Sequence, residues 1–348
     1  MEGLFLKFLR NFNPETSHQI SVLSLKYLSR LLGTPYKNKI LNTNFGDLTF
    51  ENPIGLAAGY DKNAEVIDPL FKMGFGFVEC GTVTPIAQYG NPKPRIFRLK
   101  EDKGIVNRLG FNNCGIAKFA NNFNQRNVKL GVAGANIGPN KESKNFIDDY
   151  LKVFNSIYDY ADYITLNISS PNTRNLRDIQ RTEDLNILTY EINSLRDSKK
   201  IKKKIIIKVD PDSSEQDYSN IINIVQKNKI DGLIVSNTSI SRPEFLKSHY
   251  RNEEGGLSGV PIKKISNEVL KFISRETQGE LTLIGVGGIE NAKDVYDKIK
   301  IGASLIQIYS ALTFNSLGLI NEINKELVIY LENDGFSNIK EAVGTEVK

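Results

Sequence analysis

The segment NISSPNT, residues 167–173, combines groups that can do chemistry with groups that only bend a chain. Three hydroxyls, two amides and a proline directly follow the apolar run YITL, residues 163–166. Serine, asparagine and proline are common turn formers, so an ordinary turn is one interpretation. An active-site loop is the other, since catalytic groups are often placed on loops held by a rigid scaffold. The rest of the sequence has to decide between them.

The apolar run before this segment is one of eight that are rich in Ile and Val and end in a polar or glycine-rich tip. They are PIGLAAGYDK, FVECGTVT, LGVAGANIGPN, YITLNISSPN, KIIIKVDPD, GLIVSNTS, LTLIGVGGI and LIQIYSA. Helix-like stretches such as NFIDDYLKVFNSIYDYA and DYSNIINIVQKN fill most intervals. Eight strand–helix units in about 250 residues predict an α/β fold, the (β/α)₈ barrel. The segment 94–111 breaks this rhythm and predicts two strands around a turn, above the barrel.

The polar tips matter because active sites of this fold lie at the carboxyl ends of the strands. Amides, hydroxyls and lysines dominate there, which suits hydrogen bonding to a flat ligand rich in heteroatoms. Glycoside hydrolysis is disfavoured because it usually needs a pair of carboxylates. The residues at the tips are Lys62, Thr82, Asn136, Asn167, Lys208, Asn237 and Thr238.

The glycine-rich segment GVGGI, residues 285–289, is a candidate phosphate site. Glycine lets backbone N–H groups approach a phosphate closely, and the loops after strands 7 and 8 commonly bind phosphate in this fold. A tight turn is the alternative. The segment GGLSG, residues 255–259, is expected to form another flexible loop.

Lys208, at the end of the fifth run, allows three interpretations. A desolvated lysine can form a Schiff base. It can instead supply a fixed positive charge beside a cofactor that becomes anionic. A structural role at a strand end is the third.

Residues 1–40 differ from the rest of the chain. They hold six Lys or Arg against two Glu, a net charge of +4, whereas the whole chain has +5. Asn13 can cap a helix that begins with Pro14 and Glu15, and Ile20, Leu23, Tyr27 and Leu31 recur at helical spacing. With the apolar segment EGLFLKFLR before it, this predicts a hairpin of two amphipathic helices. The hairpin either packs on the main domain or a second subunit, or lies on a membrane surface.

Composition excludes several classes of function. Two histidines and the absence of a carboxylate cluster argue against a metal site. Two distant cysteines, Cys80 and Cys114, fit a reducing compartment, and no basic patch interleaved with aromatics suggests nucleic acid. No apolar stretch reaches the roughly 20 residues of a membrane span, and the N-terminus lacks the features of a signal peptide.

Several segments at these tips closely resemble dihydroorotate dehydrogenases of class 2, the membrane-associated, quinone-linked flavoenzymes of pyrimidine biosynthesis. They are GLAAGYDK, GTVTP, GNPKPRIFRL, NRLGFNN, NIGxN, NISSPNT, GGLSG, IGVGGI and GASLIQIYS, in order over about residues 52–312. The N-terminal NPETSH is also similar to that class, and class 1 enzymes lack the extension.

Residue by residue, the resemblance implies a role for most of the tips. For FMN it implies contacts from Ala58, Gly59, Lys62, Thr82, Asn136, Asn167, Lys208, Ser236, Gly259, Gly288, Tyr309 and Ser310. For dihydroorotate it implies Lys62, Asn107, Arg108, Leu109, Gly110, Phe111, Asn167, Asn172, Asn237 and Thr238. Ser170 matches the catalytic base, where class 1 has cysteine, and His18 and Arg98 match positions near the quinone tunnel. The departures are Tyr60, Asp210 and Ser236, and the last keeps the hydroxyl of the usual threonine.

The resemblance implies a division of the chain into two parts. Residues 1–40 form a membrane and quinone-access segment, and residues 41–348 form the FMN-binding barrel. We expect a monomer bound peripherally to the cytoplasmic face of the cell membrane, with dihydroorotate, orotate, quinone and anionic lipid as partners. An apolar funnel is expected to lead quinone to the flavin, lined by Leu4, Phe5, Phe8, Leu9, Ile20, Leu23 and Tyr27.

Two other functions remain open at this stage. One is a soluble class 1 enzyme using fumarate or NAD, against which Ser170 and the N-terminal helices argue. The other is a flavin-free aldolase or isomerase barrel with Lys208 as nucleophile and GVGGI for a substrate phosphate.

Overall fold

A closed barrel of parallel strands dominates the computed structural model, which describes residues 11–173, 176–181 and 183–347. The strands are β1 Thr43–Phe45, β2 Leu48–Phe50, β3 Ile54–Leu56, β4 Phe77–Val83, β5 Ile96–Leu99, β6 Gly104–Asn107, β7 Val132–Ile137, β8 Tyr163–Asn167, β9 Lys204–Val209, β10 Gly232–Val235, β11 Gly256–Gly259, β12 Thr282–Val286 and β13 Leu305–Ile308. The helices are α1 Pro14–Leu28, α2 Ile67–Lys72, α3 Ile116–Asn124, α4 Phe146–Ile157, α5 Glu183–Ser198, α6 Glu215–Lys227, α7 Lys263–Thr277, α8 Ala292–Lys300, α9 Ala311–Phe314, α10 Leu319–Asn333 and α11 Ile339–Ala342.

Each of the eight predicted apolar runs forms one barrel strand, so the predicted (β/α)₈ fold is confirmed. The barrel closes in the order β10-β12-β13-β3-β4-β7-β8-β9, and all neighbouring strands are parallel. Their carboxyl ends therefore meet at one mouth. The register pairs Asn167 with Lys208 and Asn136 with Thr165, which brings polar residues from distant parts of the chain side by side.

The amino-terminal end of the barrel is closed by apolar packing. The antiparallel hairpin β1–β2 places Phe45 and Phe50 in one buried cluster with Phe77 and Tyr163 of the barrel strands. These packed side chains exclude water from the amino-terminal end of the barrel, so a ligand can enter at the opposite, carboxyl-terminal mouth.

A small antiparallel sheet lies apart from the barrel strands. The two strands predicted in residues 94–111 are β5 and β6, and they pair as expected. The expectation that residues 255–259 form a flexible loop is wrong, because Gly256–Gly259 is strand β11 and pairs with β6. Cross-strand hydrogen bonding outweighs the low strand propensity of its glycines.

Helix α1 begins where the sequence predicts. The Asn13 side chain accepts a hydrogen bond from the N–H of Glu15, and Pro14 is the first helical residue. The segment predicted to form the first helix of the hairpin, with Leu4, Phe5, Phe8 and Leu9, lies outside the described residues.

The predicted apolar stripe of α1 is not the face that packs on the barrel. Leu23, Tyr27 and Leu31 are 53%, 71% and 82% exposed, whereas Ser17 and Leu25 are buried. Residues two apart on a helix point roughly 200° from each other, so seating Leu25 turns Leu23 and Tyr27 outward.

Polar contacts fix α1 to the barrel. Buried Arg95 donates to Glu15 through Nε at 3.2 Å and Nη2 at 2.6 Å, and it also donates to the carbonyl oxygen of Asn91 at 2.9 Å. The hydroxyls of Ser21 and Tyr60 lie 3.0 Å apart. Lys26 and Glu65 form a more exposed ion pair at 3.6 Å. The Glu15–Arg95 pair is the most buried of the ion pairs that attach α1, so it is the main attachment.

Glu15→Ala should loosen α1 without unfolding the barrel. Removing one partner of a buried ion pair costs about 3 kcal/mol, whereas Lys26→Ala, in an exposed pair, should cost at most about 1 kcal/mol. Limited proteolysis should cut the Glu15→Ala variant faster between residues 14 and 40, while the melting temperature of the barrel stays close to that of the wild type. Equal cleavage rates in the two variants would contradict this attachment.

Candidate active site

A cavity of about 610 Å³ occupies the carboxyl-end mouth of the barrel and extends beneath α1. Nearly all the site residues predicted from the sequence line it. They are His18, Ala58, Gly59, Lys62, Thr82, Arg98, Asn107, Leu109, Gly110, Phe111, Asn167, Ser170, Asn172, Lys208, Ser236, Asn237, Thr238, Gly259, Gly288, Tyr309 and Ser310. The barrel and the docked helix α1 together bring into one cavity residues that are up to 292 positions apart in the chain, from His18 to Ser310.

Two predicted residues are not in the cavity lining. Asn136 is fully buried behind the wall, where it contacts Thr82 and Asn167. Arg108 turns away from the cavity: its guanidinium lies 4.6 Å from the Phe97 ring centroid and donates to Glu253 at 2.8 Å. A direct substrate contact from the Arg108 side chain conflicts with this placement, because the ion pair holds the guanidinium elsewhere.

The amides on one wall form a connected set. Asn167 Nδ2 donates to Thr82 Oγ1 at 2.9 Å and to Asn136 Oδ1 at 3.2 Å. Asn237 Nδ2 in turn donates to Asn167 Oδ1 at 3.2 Å and to Ser169 Oγ at 3.0 Å. These bonds fix side chains from β4, β7, β8 and the loop after β10 relative to one another.

Glu79 on β4 is a residue that the sequence analysis missed. It is fully buried and accepts four hydrogen bonds, from Asn136 at 2.7 Å, Gln307 at 2.8 Å, Thr165 at 3.0 Å and Tyr163 at 3.1 Å. A lone acidic residue inside an apolar strand was the available signal, since a buried carboxylate needs partners.

Two lysines reach the cavity from opposite walls. Burial lowers the pKa of Lys208, and the negative charge of Glu79 opposes that shift. Burial lowers the pKa of Lys62 to about 8, with a partly opposing contribution from Glu15. A bound anion would favour the charged form of either amine, so both are suited to hold negatively charged groups.

The two serines of NISSPNT occupy different environments. Ser170 lines the cavity, and its Oγ accepts a hydrogen bond from the N–H of Asn172 at 3.3 Å. Ser169 is fully buried, does not line the cavity, and accepts from Asn237 instead. Ser170 is therefore the hydroxyl of this segment that can meet a ligand.

Arg177, which the sequence analysis also missed, connects this loop to its neighbours. Its guanidinium donates to the carbonyl oxygen of Ser169 at 3.0 Å, to Asp212 at 2.9 Å and to the carbonyl oxygen of Thr238 at 2.9 Å. It thereby ties the loops after β8, β9 and β10 together. Only their spatial proximity gives it this role, so no local sequence signal could have identified it.

The glycine-rich end of the cavity lies after β12. Gly287 and Gly288 have φ values of +100° and +72°, and a Cβ on Gly288 would lie 2.2 Å from the Cα of Lys263. Only glycine fits there without strain. Ser310, after β13, completes this end and donates to Ser258 Oγ at 2.9 Å.

The end beneath α1 combines aromatic and aliphatic side chains with the serines of that helix. The rings of His18 and Tyr60 meet edge to face with centroids 5.1 Å apart, and Tyr60 meets Tyr309 in the same way at 5.9 Å. Burial, with a smaller effect from Lys62, lowers the pKa of His18 to about 3, so its imidazole is neutral at physiological pH. Leu28 and Leu31 line the cavity and are more than half exposed, which marks its outer end.

The predicted funnel lining is wrong for the described part of α1. Ile20, Leu23 and Tyr27 are absent from the cavity wall, while small serines and two leucines take their place. They are Ser17, Ser21, Ser24, Leu25 and Leu28. This face has no apolar stripe to mark it in the sequence, because a helix that must leave space beneath it presents small side chains there.

Metal-binding clusters and membrane-spanning helices are both absent from the described part of the chain. No group of three His, Cys, Asp or Glu side chains there could hold a metal ion. Among the same residues, no helix has the length and apolar character needed to cross a bilayer.

Comparison with known proteins identifies the family. A family model described as dihydroorotate dehydrogenase matches residues 40–331. The chain belongs to the dihydroorotate dehydrogenase family. The matched span contains all eight barrel strands and the β5–β6–β11 sheet, but not α1.

Similar members of the dihydroorotate dehydrogenase family extend over the N-terminal region as well. A protein of Xanthobacter autotrophicus is 42% identical over 354 residues, covering 99% of both chains. One from Bartonella tribocorum is 45% identical over 334 residues, covering 94% of this chain and 92% of that protein. Both are named dihydroorotate dehydrogenase (quinone).

Solved structures from the dihydroorotate dehydrogenase family share the architecture. The DHODH of Eimeria tenella in complex with ferulenol has a TM-score of 0.91 at 34% identity, covering 96% of this chain and 95% of that chain. The ligand-free type of DHODH from Eimeria tenella has a TM-score of 0.92 at 35% identity, covering 96% of this chain and 99% of that chain. Such coverage includes most of the N-terminal region as well as the barrel.

Proposed function

We propose that this chain oxidises (S)-dihydroorotate to orotate in pyrimidine biosynthesis, with FMN as cofactor and a membrane quinone as electron acceptor. The observation that carries the proposal is one cavity with two chemically different ends, amide-rich at the barrel mouth and apolar beneath α1. The names of the similar relatives favour this function over NAD- or fumarate-linked oxidation and over a flavin-free lysine aldolase.

The residues present fit FMN. A cavity of about 610 Å³ is of the size that holds a cofactor. Backbone N–H groups at Gly287 and Gly288 and the hydroxyl of Ser310 suit the phosphate, while Thr82, Asn167 and Lys208 suit the ring system. Gln307 lines the cavity, and its buried Oε1 has no partner among the described residues, so an acceptor is available to a ring N–H. When bound, FMN supplies the acceptor for the hydride from C6 of dihydroorotate.

The polar end of the cavity suits dihydroorotate. Lys62 can pair with its carboxylate, because the amine is partly desolvated and gains a counter-ion on binding. Amide and hydroxyl groups can hydrogen-bond the polar ring edges, and they come from three different loops. They are Asn107, Asn167, Asn172, Asn237 and Thr238.

Ser170 is the base in this proposal. Oxidation removes a proton from C5 of the substrate, and the base must lie within hydrogen-bond reach of it. The Asn172 N–H and the anchoring of the Ser169 carbonyl by Arg177 hold the Ser170 loop in place. Lys208, which the strand register pairs with Asn167 at the start of this loop, supplies a buried positive charge beside it.

Residues 1–40 serve membrane and quinone access in this proposal, and residues 41–348 form the catalytic unit. The net charge of +4 favours anionic lipid, at about 1 kcal/mol for each basic residue near the surface. Leu23, Tyr27, Leu28 and Leu31 are exposed and can enter the lipid interface. His18 and Arg98 can contact the quinone head. We propose a monomer bound peripherally at the cytoplasmic face of the membrane.

The purified protein should contain one non-covalent FMN per chain. Acid release followed by mass spectrometry and absorbance measures both identity and stoichiometry. FAD, covalent flavin or a colourless active protein would overturn the proposal, and the last would favour Lys208 as a nucleophile.

Ser170→Ala should keep FMN and orotate binding but slow reduction of the flavin by dihydroorotate by roughly 10²–10⁴, the usual share of general-base catalysis. Stopped-flow absorbance measures this step. The wild-type rate should rise with pH, because an unassisted hydroxyl is protonated at neutral pH.

Ser170→Cys is the matched control, since a thiol ionises more readily and should recover part of the rate. Near-normal reduction in Ser170→Ala would assign the base to another residue.

A variant beginning at Asn38 should fold, bind FMN and accept electrons from dihydroorotate, yet lose most turnover with a long-chain quinone. Its binding to anionic liposomes should fall, and full-length binding should weaken with salt. In the full chain, Tyr27→Glu with Leu31→Glu should weaken liposome binding while α1 stays docked. Undiminished use of membrane quinone by the shortened chain would refute the access role.

A further inference from the structure

The carboxylate of Glu79 lies behind the cavity wall rather than in it. Neither Glu79 nor Asn136 lines the cavity, yet Asn136 joins Glu79 to two residues that do, Thr82 and Asn167. Burying a carboxylate has a large free-energy cost unless the group is hydrogen-bonded or paired. In the described structure, the two carboxylate oxygens of Glu79 accept hydrogen bonds from four donors, and none of these hydrogen-bond partners is a cation.

An ionised carboxylate can only accept hydrogen bonds. Asn136 must therefore turn its NH₂ group towards Glu79, where Nδ2 lies 2.7 Å from Oε1. Its Oδ1 is then forced to the other side, where it accepts from Thr82 Oγ1 at 2.5 Å and from Asn167 Nδ2 at 3.2 Å.

The same constraint passes to the next amides. Because Asn167 donates towards Asn136 and Thr82, its Oδ1 points away and accepts from Asn237 Nδ2 at 3.2 Å. The Oδ1 of Asn237 then accepts a hydrogen bond from the N–H of Thr238, at 2.8 Å. We call the chain Glu79, Asn136, Asn167 and Asn237 the amide relay.

We propose that Glu79 is a positioning residue whose acceptor-only carboxylate sets the donor and acceptor pattern that the amide relay presents to the bound pyrimidine ring. The inference rests on the proposed function, since it assigns Asn167 and Asn237 to that ring. The Oδ1 of Asn167 accepts one bond from Asn237, and the Oδ1 of Asn237 accepts one from the N–H of Thr238, which leaves each a second lone pair for a ring N–H. A flipped amide would offer a donor to that N–H instead.

A competing role for Glu79 is purely electrostatic. Its charge raises the pKa of Lys208 against the effect of burial, so it could act on the flavin through that lysine alone. The two roles differ in what they require: the relay needs Asn136, and the charge effect does not.

The test is a double-mutant cycle in the full-length holoenzyme with Glu79→Gln and Asn136→Ala. Glutamine keeps the shape of the side chain but carries its own donors, so it cannot accept from all four partners, and either Asn136 or Gln307 must flip. The readout is the dissociation constant of orotate, measured by titrating the absorbance of the oxidised flavin. FMN content and melting temperature report on folding.

Glu79→Gln should weaken orotate binding by about tenfold, the size of one hydrogen bond to a ligand made or lost. Asn136→Ala should weaken it as well, and the double variant should match Asn136→Ala alone. Effects that multiply, or a shifted flavin midpoint potential with unchanged orotate affinity, would overturn the proposal in favour of the charge role.

Tyr163→Phe is the control, because it leaves every donor and acceptor of the amide relay in the same direction. It removes one donor to Glu79 Oε2 and leaves Asn136 in place, so orotate affinity should change by less than about threefold. If Glu79→Gln fails to fold, the orotate affinities of Asn136→Ala and Tyr163→Phe still test the proposal. Equal losses of affinity in these two variants would overturn it. Failure of the wild type to bind orotate at all would instead contradict the proposed function.

Discussion

A polar site inside an apolar barrel is stable only if nearly all of its buried donors and acceptors are hydrogen-bonded. Glu79 imposes this condition most strongly, because a fully buried carboxylate costs several kcal/mol unless it is hydrogen-bonded. Its four partners come from β7, β8 and β13, so satisfying one charge fixes strands around the barrel relative to each other. The amides that reach the cavity inherit their orientation from that arrangement.

The proposed function adds a second constraint, because it requires two partners of opposite polarity to reach one cofactor. A closed barrel offers a single mouth, and here α1 covers part of it with a face of small serines and two leucines. Attachment through Glu15 and Arg95 holds the helix at that position while leaving Tyr27 and Leu31 exposed. The molecule thus separates a polar entrance from an apolar one without enlarging the barrel.

The barrel could be predicted from the sequence because parallel strands buried on both faces appear as continuous apolar runs. The polar residues at the strand ends could be placed at one mouth for the same reason, whereas His18, Arg98 and residues 107–111 were proposed only from the family resemblance. The expectations that were wrong concern features that depend on tertiary contacts. β11 is a strand only because β6 pairs with it, and α1 turns its serine face inward. Glu79 and Arg177 act through contacts with residues far away in the chain, and Arg108 is drawn off by Glu253. An acidic residue inside an apolar strand marks Glu79 as unusual, but no local pattern identifies its partners or those of Arg177 and Arg108.

The central claim is that electrons leave this enzyme through the apolar end of the cavity. The direct measurement is the initial rate of dihydroorotate oxidation by the purified full-length protein in liposomes, with a long-chain quinone, NAD or fumarate as the sole acceptor under anaerobic conditions. The account predicts turnover with the quinone and only background rates with NAD and fumarate. Turnover with NAD or fumarate, and none with the quinone, would contradict it.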